Sequence, residues 1–213
     1  MSEDYHLKAT HYVYCHAKDG ADFASPRRQN SIVIGEPLGA DGLSATLWRE
    51  RRQLELLNFR LETQLLYLGT GKTQWLTFTS ADLEAVLEKL RFETLARNVE
   101  AAAVAAEWGV PGEPDLPRLA AAAPEGIWGE LLLDHRRDMS LLLQHIQSAI
   151  EANREALKSA LEGVARDLDA VASSPEPADE LSVLARQANA AHALAVVENC
   201  GQPLVAEFLG ATE

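Results

Sequence analysis

Apolar residues in this chain recur at three- and four-residue steps over several long stretches, and the pattern breaks sharply between them. In "SATLWRERRQLELLNFRLETQLLYLG", Leu47, Leu54, Leu61 and Leu68 fall at seven-residue intervals, with Leu57 and Leu65 beside them. That spacing keeps one face of a helix apolar, as in a coiled-coil seam. Ser44 is placed as the N-cap of this helix, and Gly69, in the "GTGK" that ends it, as a left-handed C-cap. A second helix is predicted after Thr79 or Ser80, with an apolar face of Leu83, Val86, Leu87, Leu90, Leu95, Val99 and Ala102 reaching Trp108. "GVPGEPDLP" stops it, because its glycines and prolines cannot continue a helix. "LPRLAAAAPEG" leaves room for one short helical turn.

The longest helix is predicted from about Ile127 to Ala172, where no proline intervenes. Trp128, Leu131, Leu132, His135, Met139, Leu142, Ile146, Ile150, Asn153, Leu157, Leu161, Val164, Leu168 and Val171 keep to three- and four-residue steps along it. At ~1.5 Å per residue it extends on the order of 65–70 Å. "SSPEPADE" reads as a linker, followed by an alanine-rich helix from about Ala178 to Asn199 with a weak stripe of Leu181, Leu184, Ala188 and His192. Residues 1–43 read differently. "THYVYC" and "NSIVIGEPLG" have the look of short strands, but proline, glycine and polar clusters surround them. This arm is predicted to be irregular or disordered, or to be an over-extended start ahead of a domain opening near Leu43.

The expected fold is therefore all-α. It is an elongated antiparallel helical hairpin or three-helix coiled-coil-like bundle with one very long helix, an irregular N-terminal arm and a short C-terminal helix. The divisions are an arm over 1–43, a helical domain over 44–172, and a linker plus helix over 173–213. Composition agrees: hydrophobic residues are 47% of the chain but aromatics only 6%, so alanine and leucine supply the apolar surface. A net charge of −13 argues against nucleic-acid binding, since an acidic chain repels phosphate backbones. No run approaches the ~18 apolar residues of a membrane span, and "MSEDYHLKATHYVY" is too polar for a signal peptide. Cys15 and Cys200 form no CxxC motif and read as free thiols of a reducing compartment. A cytoplasmic protein is expected.

Catalytic chemistry finds little support. "GTGK" lacks the spacing of a phosphate-binding loop and follows a helix where a strand belongs. His135 and His145 lie ten residues apart, too far to share a metal, and His6, His11 and His16 recur at five-residue steps that align on no helix or strand face. "HRRD" at 135–138 is a charged helical face. No catalytic residue, metal or cofactor is expected.

What remains is the apolar stripe itself. The first helix, about 26 residues, cannot cover one of about 46. The later part of the long helix then has an uncovered edge, which serves as a groove for a partner helix, as a self-association seam, or as a seat for the fourth helix. Trp75 and Leu76, beside the turn between the first two helices, are placed to cap the end of the bundle.

Taken together, "LWRERRQLELLNFRLETQ", "GKTQWL" with "EAVLEKLR", "EWGVP", "LPRLAAAAPEGIW", "LLLDHRRDMSLLL" and "ANREALKSAL" resemble, in order and in loop length, the FlgN family of flagellar export chaperones over roughly residues 47–168. The resemblance implies a cytoplasmic, ATP-independent chaperone that binds hook–filament junction proteins and helps deliver them to the type III export gate. It places the client surface on the later part of the long helix. The partner-binding edge expected there is Ile146, Ile150, Asn153, Leu157, Leu161, Val164 and Leu168. The alternative is a structural coiled-coil protein that scaffolds or self-associates, as a homodimer for example.

Overall fold

The computed structural model describes residues 39–173, 180–201 and 205–210. The expected arm with its two strand-like runs, and most of the expected linker, lie outside these residues. Five α-helices and a short 3-10 turn follow in order: α1 (Ala40–Gly69), the turn Thr73–Trp75, α2 (Leu76–Trp108), α3 (Leu116–Ala122), α4 (Trp128–Ala172) and α5 (Glu180–Cys200). No strand occurs among the described residues.

The leucine seam of α1 does what its spacing implies. Leu47, Leu54, Leu57 and Leu61 are buried and face α2 on one side and α4 on the other. α2 contributes Leu83, Val86, Leu87 and Leu90 to this core, and α4 contributes Leu132, Met139, Ile146, Ile150 and Leu157. α3 packs on α4. The bundle thus holds α1, α2 and α4 as its frame, and α5 lies against both α4 and α2.

Several helix ends differ from expectation, and each has a local cause. α1 begins at Ala40, so Ser44 is inside the helix and buried, and its hydroxyl lies 3.3 Å from His135 Nε2 on α4. The left-handed residue after α1 is Gly71 (φ 70°), not Gly69, and the N–H of Lys72 returns to the Tyr67 carbonyl at 2.9 Å. α2 starts directly from the 3-10 turn, which supplies helical geometry without a side-chain cap. Thr79 and Ser80 are consequently buried residues of its first turns. Its other end follows the expected rule. Gly109, at φ 69°, takes the left-handed conformation that only glycine adopts without strain, and Val110 N–H closes on the Ala105 carbonyl at 2.8 Å. Asp115 caps α3 by accepting the Arg118 N–H at 2.8 Å.

The larger differences concern faces. Leu95 and Val99, expected on the core side of α2, are 64% and 62% exposed. The core face after Leu90 continues instead through Arg97, Ala101, Val104 and Ala105. On α5 the expected stripe is turned outward, with Leu181 and Leu184 exposed, while Val183, Ala190, Ala193, Val196, Val197 and Cys200 face inward. Leu194 of the same helix packs against the core.

Candidate functional site

The edge of α4 expected to bind a partner runs through two environments. Its first half belongs to the core of the chain's own bundle. Ile146, Ile150, Asn153 and Leu157 are all buried, and Asn153 and Leu157 are fully so. Asn153 has a specific task. Its amide donates to the Leu61 carbonyl at 2.9 Å and to the Ala149 carbonyl at 2.8 Å, and its Oδ1 accepts from Gln64 Nε2 at 3.3 Å. Gln64 Oε1 in turn accepts the Thr79 hydroxyl at 2.8 Å. One buried polar layer therefore joins α4, α1 and α2 and fixes their register, since any axial slip leaves these groups desolvated and unpaired.

The second half of the edge is covered by α5. Val164 is buried, Leu161 and Leu168 are half-buried, and Arg186 of α5 pairs with Asp167 of α4 at 3.1 Å. Of the three occupants that the sequence left open for this edge, the one present is α5, the helix expected from about Ala178 to Asn199. Helix length alone predicted that α1 leaves this part of α4 bare, but it did not predict that α5 turns its small-residue face onto it. The Arg186–Asp167 pair is solvent-exposed and adds little to this contact. What holds α5 is apolar burial by alanines and valines.

A second polar constellation, missed from sequence, sits at the other end of the frame. Glu50 of α1 and Arg97 of α2 are almost wholly buried and paired in two-pronged fashion, Arg97 Nε to Glu50 Oε2 at 3.0 Å and Nη2 to Oε1 at 3.2 Å. Thr94 also donates to Glu50 at 2.8 Å. The guanidinium lies 4.2 Å from the ring centroid of Phe208, which the C-terminal segment lays over it. That segment is further tied by Leu116 N–H to the Phe208 carbonyl and by Arg136 Nε to the Leu209 carbonyl, each at 2.8 Å. The signal available in sequence was an arginine at a core position of α2 with a glutamate at a core position of α1.

Nearby, His135 is buried against Trp48 in an edge-to-face contact at 5.0 Å. Burial, and next the charge of Arg51, hold its pKa below the ordinary value, so its ring favours the neutral form. Burial pushes the Cys200 thiol up to about 12, which leaves it unreactive. Cys15 and the three arm histidines lie outside the described residues. Among the described residues no group of three or more His, Cys, Asp or Glu side chains is placed to hold a metal ion, and no helix is long and apolar enough to cross a membrane.

At the turn between α1 and α2 the two expected capping residues part ways. Leu76 is fully buried and belongs to the hydrophobic core. Trp75 is 43% exposed, its ring resting on Tyr67 (6.3 Å between centroids) and Phe78 (5.6 Å). The ring is thus part of a surface aromatic cluster and not a buried plug. Leu76→Ala is expected to cost about 2–5 kcal/mol of stability. Trp75→Ala is expected to cost about 1–3 kcal/mol, less than for a fully buried ring, because 43% of the residue is already in water. Urea unfolding of the two variants reads the difference directly, and a larger loss for Trp75→Ala would contradict this placement of the two residues.

The model of the FlgN protein family matches residues 39–181, well over half of the chain. It spans α1 to α4 and stops at the first residues of α5. No curated protein and no solved structure matches the chain. The matched span is the frame of the bundle, with the α4 edge running along it, and on that extent of agreement the chain belongs to the FlgN family of flagellar export chaperones.

Proposed function

We propose that this chain is a cytoplasmic holding chaperone for hook–filament junction proteins, and that the client helix takes the place of α5 on the later half of α4. The observation that carries the reading is the nature of the cover. The edge of Leu161, Val164 and Leu168 is roofed by a helix whose inward face is mostly alanine and valine, and that helix lies almost wholly beyond the family match. The two alanines of that face, Ala190 and Ala193, bury little. A client helix presenting leucines there would bury about three more methylene-sized groups at each, worth about 2 kcal/mol per position before ordering costs, and about one more, or about 0.8 kcal/mol, at each valine position. Against this stands the tethering of α5, which gives it an effective concentration of roughly millimolar order. The balance suits a reversible holder: the edge is not left open to aggregate, and a better-fitting helix can displace the cover. No step requires a catalytic group, a nucleotide or a metal. Delivery to the export gate is a further part of the same reading.

Calorimetric titration with C-terminal segments of junction proteins tests it. Ala193 is fully buried on the inward face of α5, so Ala193→Glu should loosen that helix and tighten client binding by about tenfold, equivalent to about 1.4 kcal/mol. Leu161→Asp, at a half-buried position, should abolish binding while circular dichroism shows the helices intact. Unchanged affinity in a folded Leu161→Asp variant would move the client site elsewhere.

A further inference from the structure

The outward face of α2 carries a second apolar repeat that the bundle does not use. Phe78, Ala85, Phe92, Val99 and Ala106 recur at steps of seven residues, and Ala81, Glu88, Leu95 and Ala102 fill the alternating positions between them. The steps alternate three and four without a break from 78 to 106, the spacing of a coiled-coil seam. α5 packs beside this seam, where Glu88 shares a cleft with Val196 and Asn199, and the seam's large apolar side chains face solvent. Phe78, Phe92, Leu95 and Val99 are between 62% and 71% exposed, and all four intervening alanines are exposed too. A helix apolar on opposite faces is ordinarily buried on both.

We propose that this face is a homodimer interface, formed by antiparallel packing of α2 against α2 of a second copy of the chain. Three features select a second copy. The seam runs for roughly 42 Å, and its two phenylalanines, Leu95, Val99 and alanines together expose apolar area approaching the ~800 Å² per partner of a stable interface. The seam is nearly uncharged in a chain of net charge −13, the depletion expected at the centre of an interface. Large side chains at some positions and alanines at others let the helix complement its own reverse, with Phe78 near one end and Ala102 and Ala106 near the other. Glu88, the one charged residue in the seam, sets the orientation. Parallel packing would place it against its own copy, and antiparallel packing removes that repulsion. The aromatic cluster of Tyr67 and Trp75 adjoins Phe78 and extends the apolar surface at that end. This interface is independent of the client site on α4.

Sedimentation equilibrium on the full-length chain decides it. The wild-type chain should be a dimer at micromolar concentration. Phe92→Glu and Val99→Glu, both at positions exposed in the protomer, should weaken dimerisation at least 100-fold without changing the helical signal or the melting temperature of the monomer. Leu184→Glu, on the exposed side of α5, should leave the dimer unchanged. A monomeric wild-type chain, or a dimer that survives both α2 substitutions, would overturn the assignment. So would a monomer whose α2 variants lose junction-protein binding, since that result gives the face to the client.

Discussion

Replacing Glu50 with leucine is expected to destabilise the fold by about 3–5 kcal/mol, an effect out of proportion to the size of the change. The carboxylate is wholly buried and accepts from Arg97 through both oxygens and from Thr94. Removing it takes from the Arg97 guanidinium the carboxylate that it meets in two-pronged fashion, in a space that excludes water, while its other contacts, the Asn98 side chain and the face of Phe208 among them, remain. Losing the carboxylate that balances a buried cation is the costly outcome, more so than the loss of the ion pair's own attraction. The double variant Glu50→Leu, Arg97→Met should therefore recover most of the loss, because it removes both charges and fills the space with apolar atoms of similar volume. Urea midpoints for the two singles and the double close the cycle. If the double variant is as unstable as Glu50→Leu alone, the cost lies in packing or in the Phe208 contact and not in the unbalanced charge. The same comparison tests how the C-terminal segment is held. Phe208 sits on Arg97, so loosening Arg97 should expose that segment to proteolysis before the rest of the bundle.

The core of α1 and α4 was legible in the sequence because it obeys one rule. Leucines at seven-residue steps in α1, and Leu132, Met139, Ile146, Ile150 and Leu157 in α4, lie where helical periodicity puts a single buried stripe. α2 was misread from Leu95 onward because the rule has two solutions there. Its outward seam, Leu95 and Val99, is more apolar by letter than its inward face, which passes through Arg97 and Thr94. Choosing apolar letters selected the wrong side of the helix. The deciding information, that Arg97 finds a buried carboxylate 47 positions earlier in the chain, is tertiary. α5 was misread for a related reason. A run of alanines marks no face, and Leu181 and Leu184 drew the stripe to the solvent side, whereas the buried face runs through Val183, Ala190, Ala193, Val196 and Val197. The α4 edge was correctly picked out as apolar, but length alone could not say what lay on it. The polar layer at Asn153 was invisible as such, because its partners Gln64 and Thr79 belong to two other helices.

That layer and its neighbour Leu157 give the second large expected effect, and it bears on how the client site can be tested at all. Leu157 is fully buried within the core, one helical turn after Asn153. Leu157→Ala should cost about 2–5 kcal/mol from lost burial and the cavity left behind. Leu157→Asp adds the desolvation of a carboxylate in the core. A marginally stable domain holds about 5–15 kcal/mol in all, so this variant should be largely unfolded or should fold only with its aspartate protonated. Leu161, one turn further along and half-buried, can tilt an aspartate toward water, and Leu161→Asp should cost about 1–2 kcal/mol. Thermal melts followed by circular dichroism separate the two: a broad early loss of helix for Leu157→Asp and a near-normal cooperative transition for Leu161→Asp. Loss of junction-protein binding in the first variant would then report a collapsed frame, whereas loss in the second would report the edge. A Leu157→Asp protein melting within a few degrees of wild type would mean that this part of α4 opens to solvent far more readily than its burial indicates, and the boundary between frame and client edge would have to be drawn closer to Ile150.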